Sequence, residues 1–141
     1  MNKITAQEKE IILDKIKSAI SKNQEIMTDE QKYAVNFNED KNILVSAAAG
    51  SGKTFVLVQR ILKLIAIDNK DIRKILIATF TNAAAAQMSK KIYDALNNLI
   101  YEGNINSKHL REQLSYLQSA DIGTLHSICI KIIKSYFYVT N

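Results

Sequence analysis

The sequence has no proline, only one cysteine and no long hydrophobic run. Cys129 has no second cysteine to pair with, which excludes a disulfide-stabilised secreted scaffold and favours a reducing compartment. No apolar run approaches the roughly 20 residues that cross a bilayer, and residues 1–22 alternate charged and apolar side chains, unlike a signal peptide. These absences predict a cytoplasmic protein that makes no use of a membrane.

Glycine is also scarce, since it occurs only at positions 50, 52, 103 and 123. Each glycine is therefore expected to mark a particular turn. The chain has 141 residues, of which 47% are hydrophobic, and this is enough to bury the core of one domain. Its net charge of +5 fits a polyanionic partner, but it fits a merely basic surface equally well.

Residues 1–26 are predicted to form an amphipathic helical extension, because Ile12, Ile16, Ala19 and Ile20 recur at helical spacing. Whether this helix packs on the core or meets a partner is left open by the pattern. Thr28 is expected to begin a second, short helix, in which a glutamine three residues later completes a capping box. A polar turn is expected over residues 36–42.

Three apolar runs predict buried parallel strands. They cover residues 42–47, 74–80 and 120–125. Helical patterns separate and follow them, over 52–67, 83–102, 106–118 and from 125 onward, with Asn82 as the expected cap of the second and Gly103 as its stop. The alternation predicts an α/β fold with a parallel sheet flanked by helices, whose ligands bind at the carboxyl ends of the strands.

The segment AAAGSGKT, residues 47–54, fits the phosphate-binding loop pattern except that alanine stands at its first position. Small residues let backbone N–H groups close around phosphate oxygens, and the next helix directs its positive end at the anion. Lys53 would reach the β and γ phosphates, and Thr54 would offer its hydroxyl to Mg²⁺. The alternative is a glycine-rich turn that happens to carry a lysine. The predicted nucleotide-binding residues of the loop are Ala47, Ala48, Ala49, Gly50, Ser51, Gly52, Lys53 and Thr54.

Hydrolysis usually needs a carboxylate at the end of another buried strand, to hold the Mg²⁺ shell and activate water. The best candidate is Asp68 in LIAID, but that segment continues a helix and no glutamate follows it. The catalytic carboxylate is therefore expected to be absent from this chain.

The other two predicted strands also end in polar motifs. IATFTNAAAAQM, residues 77–88, offers Phe80, Thr81 and Asn82, and IGTLHSICIKII, residues 122–133, offers Thr124 and His126. Core packing, helix capping and simple exposure would explain each residue alone. Alternatively, the aromatic ring would stack on a base while the polar groups and helix N-termini meet phosphates.

Together and in this order, the motifs resemble the amino-terminal core of superfamily 1 DNA helicases of the UvrD/Rep type. MTDEQKYAV is similar to that family's Q motif, AAAGSGKT to motif I, IATFTNAAAAQM to motif Ia and IGTLHSICIKII to motif Ib. Within the family, the chain most resembles the AddA-type subunit of the bacterial helicase-nuclease. The resemblance implies that residues 27–141 are part of a RecA-like P-loop NTPase domain, truncated before Walker B.

The resemblance further implies ATP and Mg²⁺ as cofactors, with Lys53 as the catalytic residue. Gln31 would recognise adenine, although its capping role is an alternative, and both roles are compatible. The five strand-end residues would contact single-stranded DNA. Two departures from the family pattern bear on these roles: Phe55 stands where some relatives have an adenine-stacking arginine, and Gly123 and Ile128 replace a serine and a phenylalanine.

The full helicase would add a second lobe with arginine fingers, a nuclease and a second helicase/nuclease subunit, and would serve double-strand-break repair and recombination. Two other functions stay open for the chain as given. One is a non-catalytic nucleotide- or DNA-binding fragment, and the other is a P-loop NTPase of another class.

Overall fold

A computed structural model describes residues 5–37 and 42–137. Helices and strands alternate along these residues, with two short 3-10 turns at Ile72–Lys74 and Leu117–Ser119. The predicted polar turn at 36–42 lies largely outside the described residues. The elements are α1 (Ala6–Gln24), α2 (Asp29–Asn36), α3 (Lys53–Ala66), β1 (Leu76–Thr79), α4 (Asn82–Tyr101), α5 (Lys108–Tyr116), β2 (Asp121–Thr124) and α6 (Leu125–Tyr136).

The sheet consists of β1 and β2, which pair in parallel with Leu76 opposite Asp121 and Thr79 opposite Thr124. Helices α4 and α5 form the crossover between them, as parallel strands require. The α/β class with a parallel sheet flanked by helices is therefore confirmed. Because both strands end in register, the residues that follow them leave the sheet at the same edge.

The predicted first strand, residues 42–47, is wrong for the described structure, because this segment has no regular secondary structure. Leu44 is 94% exposed and Val45 is also exposed. A strand exists only through a hydrogen-bonded neighbour, and no strand among the described residues lies beside this segment. The apolar run indicated strand propensity correctly but could not supply the partner.

The cap of α4 is Thr81, so the prediction that Asn82 caps this helix is wrong. Thr81 has extended backbone angles, and its side chain accepts a hydrogen bond from the backbone N–H of Ala84 at 3.1 Å. Asn82 is instead the first helical residue. The sequence favours either residue as a cap, and the length of β1 decides between them because the cap must still be extended.

The end of α4 also differs from the expected glycine stop. Asn104, not Gly103, adopts the left-handed conformation, with φ of 46°. Gly103 is required for a different reason, since a Cβ at this position would lie 2.5 Å from the carbonyl oxygen of Leu99. The glycine therefore permits a close backbone approach as the chain leaves the helix.

Helix α1 packs on the core rather than projecting from it. Ile16 and Ile20 are almost fully buried in the same hydrophobic cluster as Ile61 and Ile65 of α3. A capping box fixes the start of the helix, with Thr5 and Glu8 as its two side chains. The helical prediction for this segment is confirmed, and docking on the core answers the question that periodicity left open.

Candidate nucleotide and nucleic-acid site

The phosphate-loop candidate owes its shape to two glycines. Gly50 and Gly52 both have φ of 80°, in the left-handed region that residues with a Cβ rarely adopt. Gly52 stands immediately before α3, as its N-cap residue. The loop therefore turns directly into a helix N-terminus, whose free N–H groups and dipole favour an anion.

Lys53 is the first residue of α3 and folds back over the loop. Its Nζ donates hydrogen bonds to the carbonyl oxygens of Ala47 at 2.5 Å and Ala48 at 3.2 Å. The ammonium group therefore lies against the concave backbone of the loop, while remaining exposed. Thr54 follows in the first turn of the helix. These groups fit nucleotide phosphates and the single protein ligand that Mg²⁺ commonly takes beside them.

Gln31 connects the second helix to this loop. Its Oε1 accepts from the backbone N–H of Thr28 at 3.0 Å, and its backbone N–H donates to the Thr28 hydroxyl at 3.3 Å. The predicted capping box is therefore confirmed. Its Nε2 also donates to the carbonyl oxygen of Ser51 at 3.0 Å. A side chain that resembles an adenine-recognition residue thus holds the phosphate loop as well.

The five residues at the strand ends come together at one edge of the sheet. Phe80 directly follows β1 and is fully exposed. Asn82 and His126 are exposed in the first turns of α4 and α6. Thr81 caps α4, and Thr124 caps α6 by accepting from the N–H of Ser127 at 3.1 Å. The ring, the two polar side chains and two helix N-termini are therefore available to one ligand.

The structure thus groups the predicted residues into two sets, Gln31 with the loop and the strand-end residues with one another. Neither set contains a carboxylate. Both strands end in threonine, and Asp68 forms an ion pair with Lys63 at 3.2 Å just beyond α3. Across residues 5–37 and 42–137, no group of three His, Cys, Asp or Glu side chains could hold a metal ion.

The family described as the UvrD/REP helicase N-terminal domain matches residues 27–141, which is most of the chain. The chain belongs to this family. A UvrD-type N-terminal domain is RecA-like, in agreement with the α/β architecture and the loop-to-helix geometry. The match also confirms the resemblance carried by the four ordered motifs.

Individual members of the family provide a closer comparison, and all of them are A subunits of an ATP-dependent helicase/nuclease. The chain is 47% identical to the protein of Bacillus mycoides, 48% to that of Anoxybacillus flavithermus and 51% to that of Clostridium botulinum. Each alignment covers 114 residues, or 79% of this chain. The chain spans only 9% of the length of these relatives.

Two polar residues that support this UvrD-type site were not singled out from the sequence. Arg60 of α3 donates to the carbonyl oxygens of Ala34 and Phe37, both at 2.8 Å, and so ties the end of α2 to α3. The Thr79 hydroxyl donates to the carbonyl of Thr81 at 3.0 Å and joins the two strand ends. A lone arginine within an apolar helix was the only sequence signal for the first residue, and the second gave none.

Gly123, which departs from the commoner serine of motif Ib, has a local explanation. A Cβ at this position would lie 2.7 Å from the Ser127 hydroxyl, which donates to the carbonyl of Thr124 at 2.8 Å. A larger residue here would displace that hydroxyl from the start of α6. In the part of the chain that the structure describes, no helix is long and apolar enough to cross a membrane.

Proposed function

We propose that this chain is the ATP-binding and single-stranded-DNA-contacting portion of an ATP-dependent DNA helicase of the helicase/nuclease type. The observation that carries the proposal is the loop of residues 47–54, in which two left-handed glycines lead into α3 with Lys53 folded over the turn. The UvrD-type family and the names of the relatives support the substrate class. Because those relatives are named as one subunit of their enzymes, we expect the partner to be a second helicase/nuclease subunit.

The loop would hold the phosphates of ATP through its backbone N–H groups and through Lys53. The ammonium group would exchange its bonds to the carbonyls of Ala47 and Ala48 for the β and γ phosphates. Thr54 would contribute its hydroxyl to Mg²⁺, and Gln31 would meet the adenine edge while it holds Ser51. When bound, ATP supplies the phosphoryl group whose transfer to water drives a helicase.

Single-stranded DNA would cross the edge where β1 and β2 end. Phe80 would stack on a base, because a fully exposed ring gains most from a sequence-tolerant aromatic contact. The N-termini of α4 and α6 would face phosphates, with Asn82 and His126 adding hydrogen bonds. Thr81 and Thr124 would act by holding these helix starts in place.

The strand ends also support a narrower function for these 141 residues, namely binding nucleotide without turnover. Walker B chemistry needs an acidic residue at a strand end, whereas both described strands end in threonine. We therefore expect negligible DNA-stimulated ATP hydrolysis by this chain. A small-molecule kinase or another P-loop class is disfavoured by the family membership.

Calorimetric titration of the chain with ATP and Mg²⁺ tests the nucleotide site. Lys53→Ala is expected to abolish measurable binding, while Lys17→Ala, which removes an exposed lysine from α1, leaves it unchanged. Equal ATP affinity in all three proteins would refute the loop assignment. In a hydrolysis assay with single-stranded DNA, robust turnover that Lys53→Ala abolishes would refute the non-catalytic function.

Fluorescence anisotropy with a short oligothymidylate tests the DNA site. The double variant Phe80→Ala/His126→Ala is expected to weaken binding, by about fivefold or more from the lost stacking alone. Tyr33→Ala removes an exposed ring from α2 and serves as the control. Unchanged affinity in the double variant would show that the strand ends are not the DNA site.

A further inference from the structure

A groove between α4 and the segment of α5 and its following turn has the character of a nucleic-acid surface. Its volume is about 850 Å³. Tyr93 lines it and is 47% exposed, and Tyr101 lines it and is 66% exposed. Leu114 and Leu117 contribute apolar surface. Two exposed tyrosines above such a surface are suited to stacking with flat rings.

The charge of this groove, referred to below as the tyrosine groove, has one sign. Lys90 and Arg111 line it and are exposed. No acidic residue is among the described residues that line it. Aromatic rings interleaved with cations are the combination that binds single strands, since the rings stack on bases while the cations meet phosphates.

The tyrosine groove is continuous with the strand-end site along α4. Asn82, Ala86, Lys90 and Tyr93 follow one another at spacings of four, four and three residues, which places them on one face of the helix. Asn82 belongs to the strand-end set, and Tyr93 lies about 17 Å further along at 1.5 Å per residue. Ala86 keeps this face shallow between the two. A strand stacked at 3.4 Å per nucleotide would cover the distance with about five nucleotides.

We propose that the tyrosine groove binds the continuation of the single DNA strand beyond the strand-end site. The inference rests on the proposed DNA contacts of Phe80 and His126. Tyr93 and Tyr101 would stack on bases, and Lys90 and Arg111 would contact phosphates. Because stacking and phosphate contacts are tolerant of sequence, this extension adds affinity and length to the site without reading bases.

Length dependence of binding tests the proposal with the full 141-residue chain. The probes are fluorescent (dT)6 and (dT)12, measured by anisotropy at low salt. The wild type is expected to bind (dT)12 more tightly than two overlapping short sites would explain. Tyr93→Ala/Tyr101→Ala is expected to weaken (dT)12 binding by about fivefold or more and to leave (dT)6 binding unchanged.

Two controls separate stacking from folding. Tyr93→Phe/Tyr101→Phe keeps both rings and is expected to bind (dT)12 like the wild type. Tyr33→Ala removes an exposed tyrosine far along the chain and is expected to bind both probes normally. If the alanine pair fails to fold, as judged by circular dichroism, the single variant Tyr101→Ala carries the same test.

The salt dependence tests the two cations independently. For (dT)12, Lys90→Gln/Arg111→Gln is expected to lower the slope of log affinity against log salt by about 1.4, since each single-strand phosphate contact contributes about 0.7. Lys9→Gln/Lys17→Gln removes two exposed charges from α1 and is expected to leave the slope unchanged.

The outcomes distinguish this inference from the function on which it rests. Binding of (dT)6 that depends on Phe80, with no effect of the groove variants on (dT)12, would overturn the groove alone and leave that surface to a protein partner. Failure of the wild type to bind either probe would overturn both proposals. Loss of the (dT)12 advantage in the alanine pair alone supports the groove.

Discussion

Gln31 is expected to act on the phosphate loop itself, in addition to adenine. Its amide joins Thr28 at the start of α2 to Ser51 in the loop, with both hydrogen bonds at 3.0 Å. Gln31→Ala removes both bonds. Because the loop then loses its only described side-chain support from α2, its bound conformation becomes less populated, and any ligand held by its phosphates binds more weakly.

The size of the effect follows from the contacts. A net contribution of about 0.5–1.5 kcal/mol for each hydrogen bond predicts a loss of about 1–3 kcal/mol in the free energy of unfolding. Loss of the Ser51 contact alone corresponds to roughly fivefold weaker binding of the phosphates, at about 1 kcal/mol. Thr28→Ala is the matched variant, since it disrupts the cap, at about 0.5–2 kcal/mol, and leaves the amide near Ser51.

Competition binding with ATP and with inorganic triphosphate separates the two roles of Gln31. Gln31→Ala is expected to weaken both ligands, and ATP more strongly because adenine recognition is lost as well. Thr28→Ala is expected to lower stability in urea without a comparable loss of triphosphate affinity. Unchanged triphosphate affinity in Gln31→Ala would refute the role in positioning the loop, and equal losses for the two ligands would refute the adenine role.

Three further predictions concern the structure around the site. Arg60→Ala is expected to lower the free energy of unfolding by about 1.5–3 kcal/mol, from the lost bonds of a charged donor to Ala34 and Phe37, and urea denaturation with full stability in Arg60→Lys would contradict this. Ile20→Ala is expected to destabilise by about 2–5 kcal/mol because this side chain is buried, whereas exposed Ile11→Ala should show little change in the same assay. Hydrogen bonds from Arg73 lower the pKa of Asp71 to about 2, so its stabilisation is present above the unfolded pKa of about 4 and is lost as the pH falls towards 2. The acid unfolding curve of Asp71→Asn should therefore be shallower over that range, and an identical curve would contradict the ion pair.

The most reliable predictions from the sequence were those in which one residue type meets one local requirement. The spacing of Gly50 and Gly52 before Lys53 indicated the loop, and both glycines adopt the left-handed backbone that the pattern demands. Threonine and glutamine three residues apart indicated the start of α2, and the capping box is present. Such features depend on backbone geometry within a few residues, which sequence specifies directly.

Predictions that needed a distant partner succeeded less often. The apolar run 42–47 carried a strand pattern, yet no neighbouring strand pairs with it among the described residues. The choice between Thr81 and Asn82 as cap depended on where β1 ends against β2. Arg60 reaches α2 across more than twenty residues of sequence, a contact that no local pattern encodes.

The sequence by itself determined the loop, the four ordered motifs and the α/β class, because these follow from local conformational preference and from the order of apolar runs. Only the tertiary structure decided that α1 packs on the core, that Gln31 holds Ser51, and that the strand ends of β1 and β2 stand in register. Those facts depend on which surfaces meet when the chain folds. That choice is made by packing and pairing across long sequence separations, and no single segment contains it.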